Sequence, residues 1–332
     1  MKTTIVFFIM LALFGCSNQP GIKVVNFKNN ESIVFSGESG FYDEIVPMSM
    51  DDKFIYSIFK KNNHIELVKR NLAGSILKQD RIPLFSKWYG STPYALSPDE
   101  SKFVFYKDNT RNLYLYDLLG KKESLLLKDI SSSAFTIKGI FWMDSDNLII
   151  LLDEDEDIGR KGGEIFKMKV STKATVEKLE LDDPHDYSFS SASMLLAVAP
   201  MVRGAGIKII DLRNFAIVSE IPNFNKLTWM NLPAWNRSGT KLVYLDGAGV
   251  LSIYNIKDKS SVSIQNIPKG EVGYFTGILN DDICALSYGQ PDGKSKLYFV
   301  DVNTKKVIKT ISDVWGTIVL IDSGNVIAYE IH

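Results

Sequence analysis

The sequence is poor in the residues from which most catalytic and metal sites are built. Only three histidines occur, at positions 64, 185 and 332, and none of them has the spacing of a metal-binding pair. There is no Gly-x-Ser-x-Gly motif and no glycine-rich phosphate loop. His185 beside Asp186, with Ser188 nearby, is adjacency in sequence, which does not make a catalytic triad. We therefore expect no enzyme activity, no bound metal and no cofactor.

Cysteine and net charge are also scarce. The two cysteines are Cys16, close to the N-terminus, and Cys284, inside the apolar run 283–286, so no disulfide is expected and Cys284 is predicted to be a buried thiol. The chain holds 38 basic and 39 acidic residues, which gives a formal net charge of −1 without a basic stripe. This balance offers no electrostatic case for a nucleic-acid partner.

Long apolar runs are missing as well, and helical periodicity is confined to the first fifteen residues. That N-terminal segment has a basic residue, Lys2, and then an apolar stretch, Ile5 to Phe14, which is too short to span a bilayer core of about 30 Å. Residues 13–16, Leu-Phe-Gly-Cys, resemble the lipobox of bacterial lipoproteins, with Phe14 where a small residue is usual. The resemblance implies a signal peptide over residues 1–15 and lipidation, for example with palmitate, of Cys16.

A lipid anchor would place the protein on a membrane of the bacterial envelope, since several acyl chains hold far better than one. Ser17 after the cysteine suggests, by analogy with enterobacterial lipoproteins, the outer membrane with the protein facing the periplasm. Residues 16–21 would then be a lipidated tether, and residues 22–332 one folded domain, because no linker of biased composition interrupts them.

A unit of four short strands recurs along this domain at intervals of about 41 to 47 residues. Alternating apolar residues bounded by Asp, Asn, Ser and Gly predict strands and hairpins. The residue that opens the first turn of each unit marks the repeat, at Met50, Ser97, Met143, Ser190, Asn236, Asn280 and Ile321. Such a period predicts an all-β propeller of four-stranded antiparallel blades.

The last unit is incomplete, because two strands follow Thr317 before the chain ends at residue 332. Two further strands, at 22–27 and 32–36, precede the first complete unit. Joining these N-terminal strands to the C-terminal pair would complete a last blade and leave no open sheet edge between the chain ends. We therefore predict seven blades, with six as the alternative count, in a monomeric ring.

The turn and strand of the repeat resemble bacterial propeller repeats related to WD40 and to the periplasmic translocation protein TolB. The resemblance rests on residues 236–244, Asn-Arg-Ser-Gly-Thr-Lys-Leu-Val-Tyr after Trp235, and on residues 97–99, Ser-Pro-Asp. It covers the repeats from about residue 42 onward, but no separate N-terminal domain is present and the expected blade count is seven rather than six. The resemblance implies a propeller fold and an envelope location, and it does not name a ligand.

In such a ring the turns after the first and third strands lie on one side, and the loops after the second and fourth strands lie on the other. We call these the turn side and the loop side. Aromatic residues recur where the chain approaches nearly every first strand from the loop side; in the fourth unit His185 and Tyr187 lie nearer the strand instead. Packing between blades is one interpretation of this recurrence, and a binding rim for a protein partner is the other. The candidate binding residues are Tyr42, Trp88, Tyr89, Trp229, Tyr274 and Trp315. Trp142 and Trp235, just before the first turns, are predicted to be core residues.

The loop of the third unit, residues 153–164, is strongly acidic. Its spacing places Asp153, Asp155, Asp157 and Glu164 at positions one, three, five and twelve of a calcium-loop pattern. Ile158 stands where the sharp turn of such a loop needs glycine. A solvated acidic loop is therefore the simpler interpretation, with calcium as a weak alternative.

The sequence as a whole predicts a lipid-anchored propeller of the cell envelope that binds a protein through its loop side. Envelope assembly or scaffolding and an immunity-type function against an incoming toxin remain open within this class. The alternative from another class is a propeller hydrolase or lyase acting on a glycan or peptide in the central funnel, which requires carboxylates or histidines that converge there.

Overall fold

The computed structural model describes residues 21 to 331 except 27–31, 37–43, 51–53, 62–63, 72, 74, 84–93, 108–111, 129–134, 155–161, 182–183, 201–205, 223–232, 237, 246–249, 265–272, 281–282, 290–294 and 321–325. Every regular element within these residues is a β-strand. Strands β1 to β9 are Gly21–Asn26, Ser32–Ser36, Glu44–Met50, Phe54–Lys61, His64–Asn71, Ile76–Pro83, Tyr94–Leu96, Lys102–Lys107 and Asn112–Asp117. Strands β10 to β18 are Lys122–Leu127, Phe135–Trp142, Asn147–Glu154, Gly163–Lys169, Ala174–Leu181, Pro184–Ser190, Leu195–Pro200, Ile207–Asp211 and Ala216–Ile221. Strands β19 to β27 are Ala234–Trp235, Lys241–Leu245, Leu251–Asn255, Ser260–Ser263, Gly273–Asn280, Ile283–Gly289, Ser295–Asp301, Lys306–Leu320 and Val326–Ile331.

These strands form five four-stranded sheets and one seven-stranded sheet, with antiparallel pairing in the sequence order of the repeat. Sheets 1 to 5 consist of β3–β6, β7–β10, β11–β14, β15–β18 and β19–β22. The all-β class and the repeated four-stranded sheets predicted from the sequence are therefore confirmed. The predicted repeat markers also fall where they should, because Ser97, Met143 and Asn236 directly follow the first strands of sheets 2, 3 and 5.

The seven-stranded sheet joins the two ends of the folded chain. Its order is β2-β1-β27-β26-β25-β24-β23, and β1 pairs with β27 from Gly21↔Ile331 to Asn26↔Val326. The long strand β26 serves two neighbours: its first part pairs with β25, and its second part, from Trp315, pairs with β27. The sequence-based prediction that the terminal strands share a sheet is borne out by this pairing.

Middle and outermost strands differ in composition because they differ in burial. All six residues of β16, Leu-Leu-Ala-Val-Ala-Pro, are buried, since a middle strand is covered on both faces. In the outermost strand β14 exposed and half-buried residues alternate, and only Leu181 is buried. Continuous apolar runs therefore identify the middle strands of this repeat more clearly than alternation does.

The core lies between sheets. Five apolar clusters of the described residues each span two consecutive sheets, from sheet 1 with sheet 2 to sheet 5 with the seven-stranded sheet. Phe103 and Phe105 of β8 are fully buried against Ile65 and Leu67 of β5, for example. Burying such side chains contributes about 1.5 to 3 kcal/mol each, so packing between sheets is the main source of stability.

The tryptophans predicted to be core residues connect neighbouring sheets directly. Trp142 Nε1 donates a hydrogen bond to the carbonyl oxygen of Ala95 at 3.2 Å, and Trp235 Nε1 donates to that of Ser188 at 2.8 Å. Both indoles are buried, and each reaches the first strand of the preceding sheet. The prediction that both belong to the core is confirmed.

The turn between the third and fourth strands has the same design in several sheets. A carboxylate or amide oxygen at its first position accepts the backbone N–H two residues later, which is an Asx turn. Asp117, Asp211, Asn255 and Asp301 do this in sheets 2, 4, 5 and the seven-stranded sheet. Sheet 3 has Lys169 at this position, and there Asp146 of the adjacent turn accepts the N–H of Ser171 at 2.8 Å.

A lysine in the left-handed backbone region ends several of these turns and reaches the preceding sheet. Lys121, Lys173 and Lys259 have φ of 50°, 56° and 49°. Lys121 Nζ contacts the carboxylate of Asp80, Lys173 Nζ donates to the carbonyl oxygen of Leu125 at 2.6 Å, and Lys259 Nζ donates to that of Val218 at 3.3 Å. The strain of this conformation is about 1 to 2 kcal/mol per residue, and the bond to the neighbouring sheet offsets part of it.

We predict that Asn236→Ala lowers the free energy of unfolding by about 2 to 3 kcal/mol, because two backbone N–H groups of the turn lose the buried side-chain oxygen that accepts them. Asn236 is buried, and its Oδ1 accepts the N–H groups of Thr240 and Lys241, both at 2.8 Å. Urea unfolding followed by tryptophan fluorescence measures the change. Asn255→Ala, in a more exposed turn, serves as the control and should cost less than about 1 kcal/mol. Equal losses in the two variants would contradict the assignment.

Candidate functional site

The two sides of the repeat differ in regularity. On the turn side the recurring Asx turns and short first turns fix nearly the same backbone in successive sheets. In sheets 2 to 5 the apolar residue of the third turn, which joins the third and fourth strands, also bonds to the first turn of its own sheet, as Leu118 N–H does to the carbonyl oxygen of Ser101 at 2.9 Å. On the loop side the strands end in connections that differ in length and charge, so this side carries the candidate site.

The carboxylates of the turn side are held in their charged form. The hydroxyl of Ser171 lowers the pKa of Asp146, and the guanidinium of Arg213 lowers that of Asp211. The backbone N–H of Thr304 does the same for the pKa of Asp301. A carboxyl group whose pKa is lower in the folded protein stabilises the fold at every pH above its unfolded-state pKa. This stabilisation is lost as the pH falls through the folded-state pKa, so these turns weaken only in acid.

The predicted aromatic rim lies mostly outside the described residues, which exclude Tyr42, Trp88, Tyr89 and Trp229. For Tyr274 and Trp315 the structure describes the backbone. Tyr274 is near the start of β23, opposite Ser287, and Trp315 lies in β26 opposite Glu330. Whether the six aromatic side chains form a binding rim or pack between sheets stays a prediction.

Several first strands are irregular, and in sheets 3 and 4 the irregularity lies close to the loop side. Register shifts interrupt the pairing of β3 at Pro47/Ser49, of β11 at Ile137/Gly139 and of β15 at Pro184/Asp186. A β-bulge adds a residue to one strand and redirects its side chain, and such bulges are common next to binding sites. The sequence pattern gave no sign of these bulges, because one extra residue leaves the spacing of the markers almost unchanged.

The bulge of β11 places Lys138 beside a buried carboxylate. Lys138 Nζ lies 3.3 Å from Asp153 Oδ2 at the end of β12, and the carboxylate is almost fully buried whereas the lysine is about one third exposed. A buried charge is tolerated when it is paired, so Lys138 neutralises Asp153 at the base of the acidic loop. Part of the Lys138 side chain stays exposed to solvent.

The two described members of the weak calcium candidate do not come together. Leu152 pairs with Glu164 and Asp153 pairs with Gly163, so Asp153 and Glu164 project from opposite faces of sheet 3. Glu164 Oε1 is also 2.6 Å from Lys178 Nζ. Asp155 and Asp157 lie outside the described residues. A calcium site would therefore depend on those two residues, and it stays a prediction.

An aromatic cluster packs sheet 3 against sheet 4. Tyr187 of β15 lies edge-on to Phe141 of β11, with ring centroids 5.4 Å apart, and Phe189 lies 5.1 Å from the same ring. Gly139 makes room for it, since a Cβ there would be 2.8 Å from Tyr187 Cζ. In sheet 4 the aromatic residue near the start of the first strand, Tyr187, therefore packs between sheets.

His64, at the loop-side end of β5, is held by two side chains of sheet 1. Arg81 Nη2 lies 3.3 Å from Nδ1 and Glu66 Oε1 lies 3.1 Å from Nε2. Since arginine can only donate, Nδ1 is the acceptor and Nε2 carries the proton that Glu66 accepts. The ring is buried and both nitrogens are engaged, so His64 is poorly placed to act as a general base. His185 lies in the bulged part of β15, where the structure describes only its backbone.

Lys107, at the loop-side end of β8, is buried in sheet 2. Its Nζ lies 4.1 Å from the centre of the Tyr114 ring, 5.4 Å from that of Phe105 and 2.8 Å from Glu123 Oε1. Cation–π contacts of this kind stabilise by about 2 kcal/mol when they are desolvated. Lys107 therefore strengthens sheet 2, and its charge is not presented to solvent.

The described residues outside these clusters show neither a reactive thiol nor a metal-binding cluster. Cys284 is fully buried, and burial raises the pKa of its thiol to about 12, which confirms the predicted buried cysteine. Within the described residues no three His, Cys, Asp or Glu side chains gather as a metal site would require. No helix in this part of the chain is long and apolar enough to cross a membrane.

Comparison with protein-family models and with curated proteins finds no match for this chain. The function therefore has to be argued from the fold and from the composition of the two sides.

Proposed function

We propose that the chain forms a closed ring of seven blades in the envelope, anchored by a lipid on Cys16, that binds a protein partner through its loop side. The second part of β26 with β27, β1 and β2 would be the seventh blade. Two observations support closure. Strands β26, β27 and β1 contact β3 of sheet 1, and an apolar cluster joins each earlier pair of consecutive sheets.

The contrast between the two sides carries the functional proposal. The turn side repeats one hydrogen-bonded design from sheet to sheet. The loop-side ends of the strands differ between sheets 1, 2 and 3: sheet 1 has the buried His64 network, sheet 2 has the buried Lys107–Glu123 pair, and sheet 3 has the Lys138–Asp153 pair, in which the lysine is partly exposed. Connections that vary on a rigid scaffold are where proteins usually place recognition, and recognition of a protein requires such an individual surface.

We predict that the triple variant Trp88→Ala, Trp229→Ala, Trp315→Ala loses at least about tenfold in partner capture, since aromatic anchors dominate protein interfaces. Capture is measured by affinity purification from envelope fractions with quantitative mass spectrometry. Trp235→Phe, a change in a described core tryptophan away from the rim, is the control and should retain capture.

Circular dichroism and thermal melting of the triple variant show whether the ring remains folded. Full capture by a folded triple variant would assign the rim to packing between blades and overturn this binding surface. Cys16→Ser should release the protein from membranes without changing its melting temperature. Retention of that variant on membranes would contradict the lipid anchor.

A further inference from the structure

Both ends of the described chain emerge on the same side of the sheets. Gly21, the first residue of β1, pairs with Ile331, the last residue of β27, and the β1–β2 connection lies at the other end of the strands. In each complete sheet the third strand runs from the loop side to the turn side, as β13 does from Gly163 to Lys169. In the proposed seventh blade β1 is the third strand, so Gly21 and Ile331 lie on the loop side.

The distance from this point to the proposed anchor is short. Four residues separate Cys16 from Gly21, and a fully extended chain over this stretch reaches at most about 18 Å. A strand such as β14, with eight residues, is longer than this tether, at about 26 Å. The tether therefore cannot run from the loop side around the sheets to a bilayer on the turn side.

We infer that the loop side faces the lipid bilayer, and that the partner it binds is a protein at the membrane surface rather than one that approaches from the aqueous compartment. This inference rests on the proposed ring and lipid anchor. The turn side, with its lysine-bearing third turns, then points away from the membrane. The narrow space between ring and bilayer selects a membrane-embedded or membrane-bound protein as the occupant of the loop side.

Exposed lysines on the turn side favour the opposite orientation, in which the turn side faces the membrane. Lys122, Lys173, Lys257 and Lys305 are exposed in, or directly after, the third turns of four sheets. An anionic bilayer attracts such residues when they lie close to its surface. Without a short tether at the loop side, this attraction would turn the opposite side toward the membrane, so the two orientations can be separated by experiment.

A matched pair of labels on β14 and the turn before it measures the orientation. Thr172→Cys marks the exposed turn side, and Glu180→Cys, in a residue whose side chain is 82% exposed, marks the loop side of the same sheet. Cys284 will not react, because it is fully buried and its thiol pKa is raised to about 12. Full-length lipidated protein is labelled with a fluorescent maleimide and reconstituted in phosphatidylethanolamine–phosphatidylglycerol vesicles that contain a rhodamine lipid.

We expect energy transfer to the rhodamine lipid to be at least about twofold more efficient from position 180 than from position 172, given their separation along the strand. A flexible Gly-Ser insertion of about twenty residues between Asn18 and Gln19 should bring the ratio to one or below, because such a linker removes the constraint and lets the turn-side lysines approach the anionic lipids. Equal transfer without the insertion, or stronger transfer from position 172, would overturn the inference.

Flotation of the vesicles separates this outcome from failure of the anchor. If wild-type protein floats and Cys16→Ser does not, the anchor holds and the label ratio tests orientation alone. If the wild-type protein fails to float, the lipid anchor of the proposed function is wrong. The inferred orientation, which depends on that anchor, is then wrong as well.

Discussion

Replacing Trp142 by alanine should lower the free energy of unfolding by about 3 to 5 kcal/mol, the range for removing a buried aromatic side chain. The indole is 6% exposed, belongs to the cluster between sheets 2 and 3, and donates a hydrogen bond to Ala95 of the preceding sheet. The change therefore opens a cavity and leaves a carbonyl oxygen without its donor. Denaturant titration monitored by circular dichroism gives the value.

Trp142→Phe separates the two contributions, since phenylalanine fills most of the volume but cannot donate. It should cost about 1 to 2 kcal/mol. If Trp142→Ala lowered the free energy of unfolding no more than Trp142→Phe does, neighbouring side chains must have moved to fill the cavity. The interface between sheets 2 and 3 would then tolerate a loss of side-chain volume that its packing does not predict.

Gly163→Ala should cost about 3 kcal/mol, at the upper end for inserting a methyl group into a tightly packed position. A Cβ at Gly163 would lie 2.2 Å from Pro184 Cγ of the next sheet and 2.6 Å from the carbonyl oxygen of Leu152. Backbone and proline ring cannot rotate away, so β13 or β15 must shift. Thermal unfolding measures the loss.

Gly120→Ala is the matched control for this position. There a Cβ would meet only the side chain of Asp117, at 3.0 Å, in an exposed turn, and we expect a change within about 1 kcal/mol. A small effect at Gly163 would mean that the approach between sheets 3 and 4 is less close than the structure gives.

The repeat could be read from the sequence because its turns depend on local chemistry. Ser97 shows this: its hydroxyl accepts the N–H of Lys102 at 2.9 Å and donates to Asp99 at 2.6 Å, so the turn is encoded within six residues. Strand pairing of the chain ends was predictable for a related reason, since each end supplied half a unit with unpaired strands. The confirmed core positions Trp142, Trp235 and Cys284 follow from the apolar runs that contain them.

Contacts between different repeats could not be predicted from the local sequence in this way. Lys173 lies 48 positions from Leu125, whose carbonyl it reaches, and nothing near Lys173 in sequence distinguishes it from an ordinary turn lysine. The bulges were also not predicted, because they shift pairing by one residue inside a strand whose ends remain in place. The sequence further predicted separate last strands where the structure has one continuous strand, β26, from Lys306 to Leu320.

The candidate site was harder to predict than the fold. Lys138 was not recognised, since its importance comes from a bulge that brings it to Asp153. The acidic loop was recognised as a feature, but strand register, which places Asp153 and Glu164 on opposite faces, could not be derived from spacing alone. For the aromatic rim the sequence gives positions along the strands, and the direction of each side chain depends on packing that spacing does not encode.

The pairing of β1 with β27 has a mechanical consequence. β1 lies between β2 and β27, and its register with β27 extends over all six residues from Gly21 to Asn26. A pull on the N-terminus along the strand axis would load these hydrogen bonds together in shear, instead of opening them one at a time. The same strand that joins the ends of the chain would thus resist tension applied at residue 21.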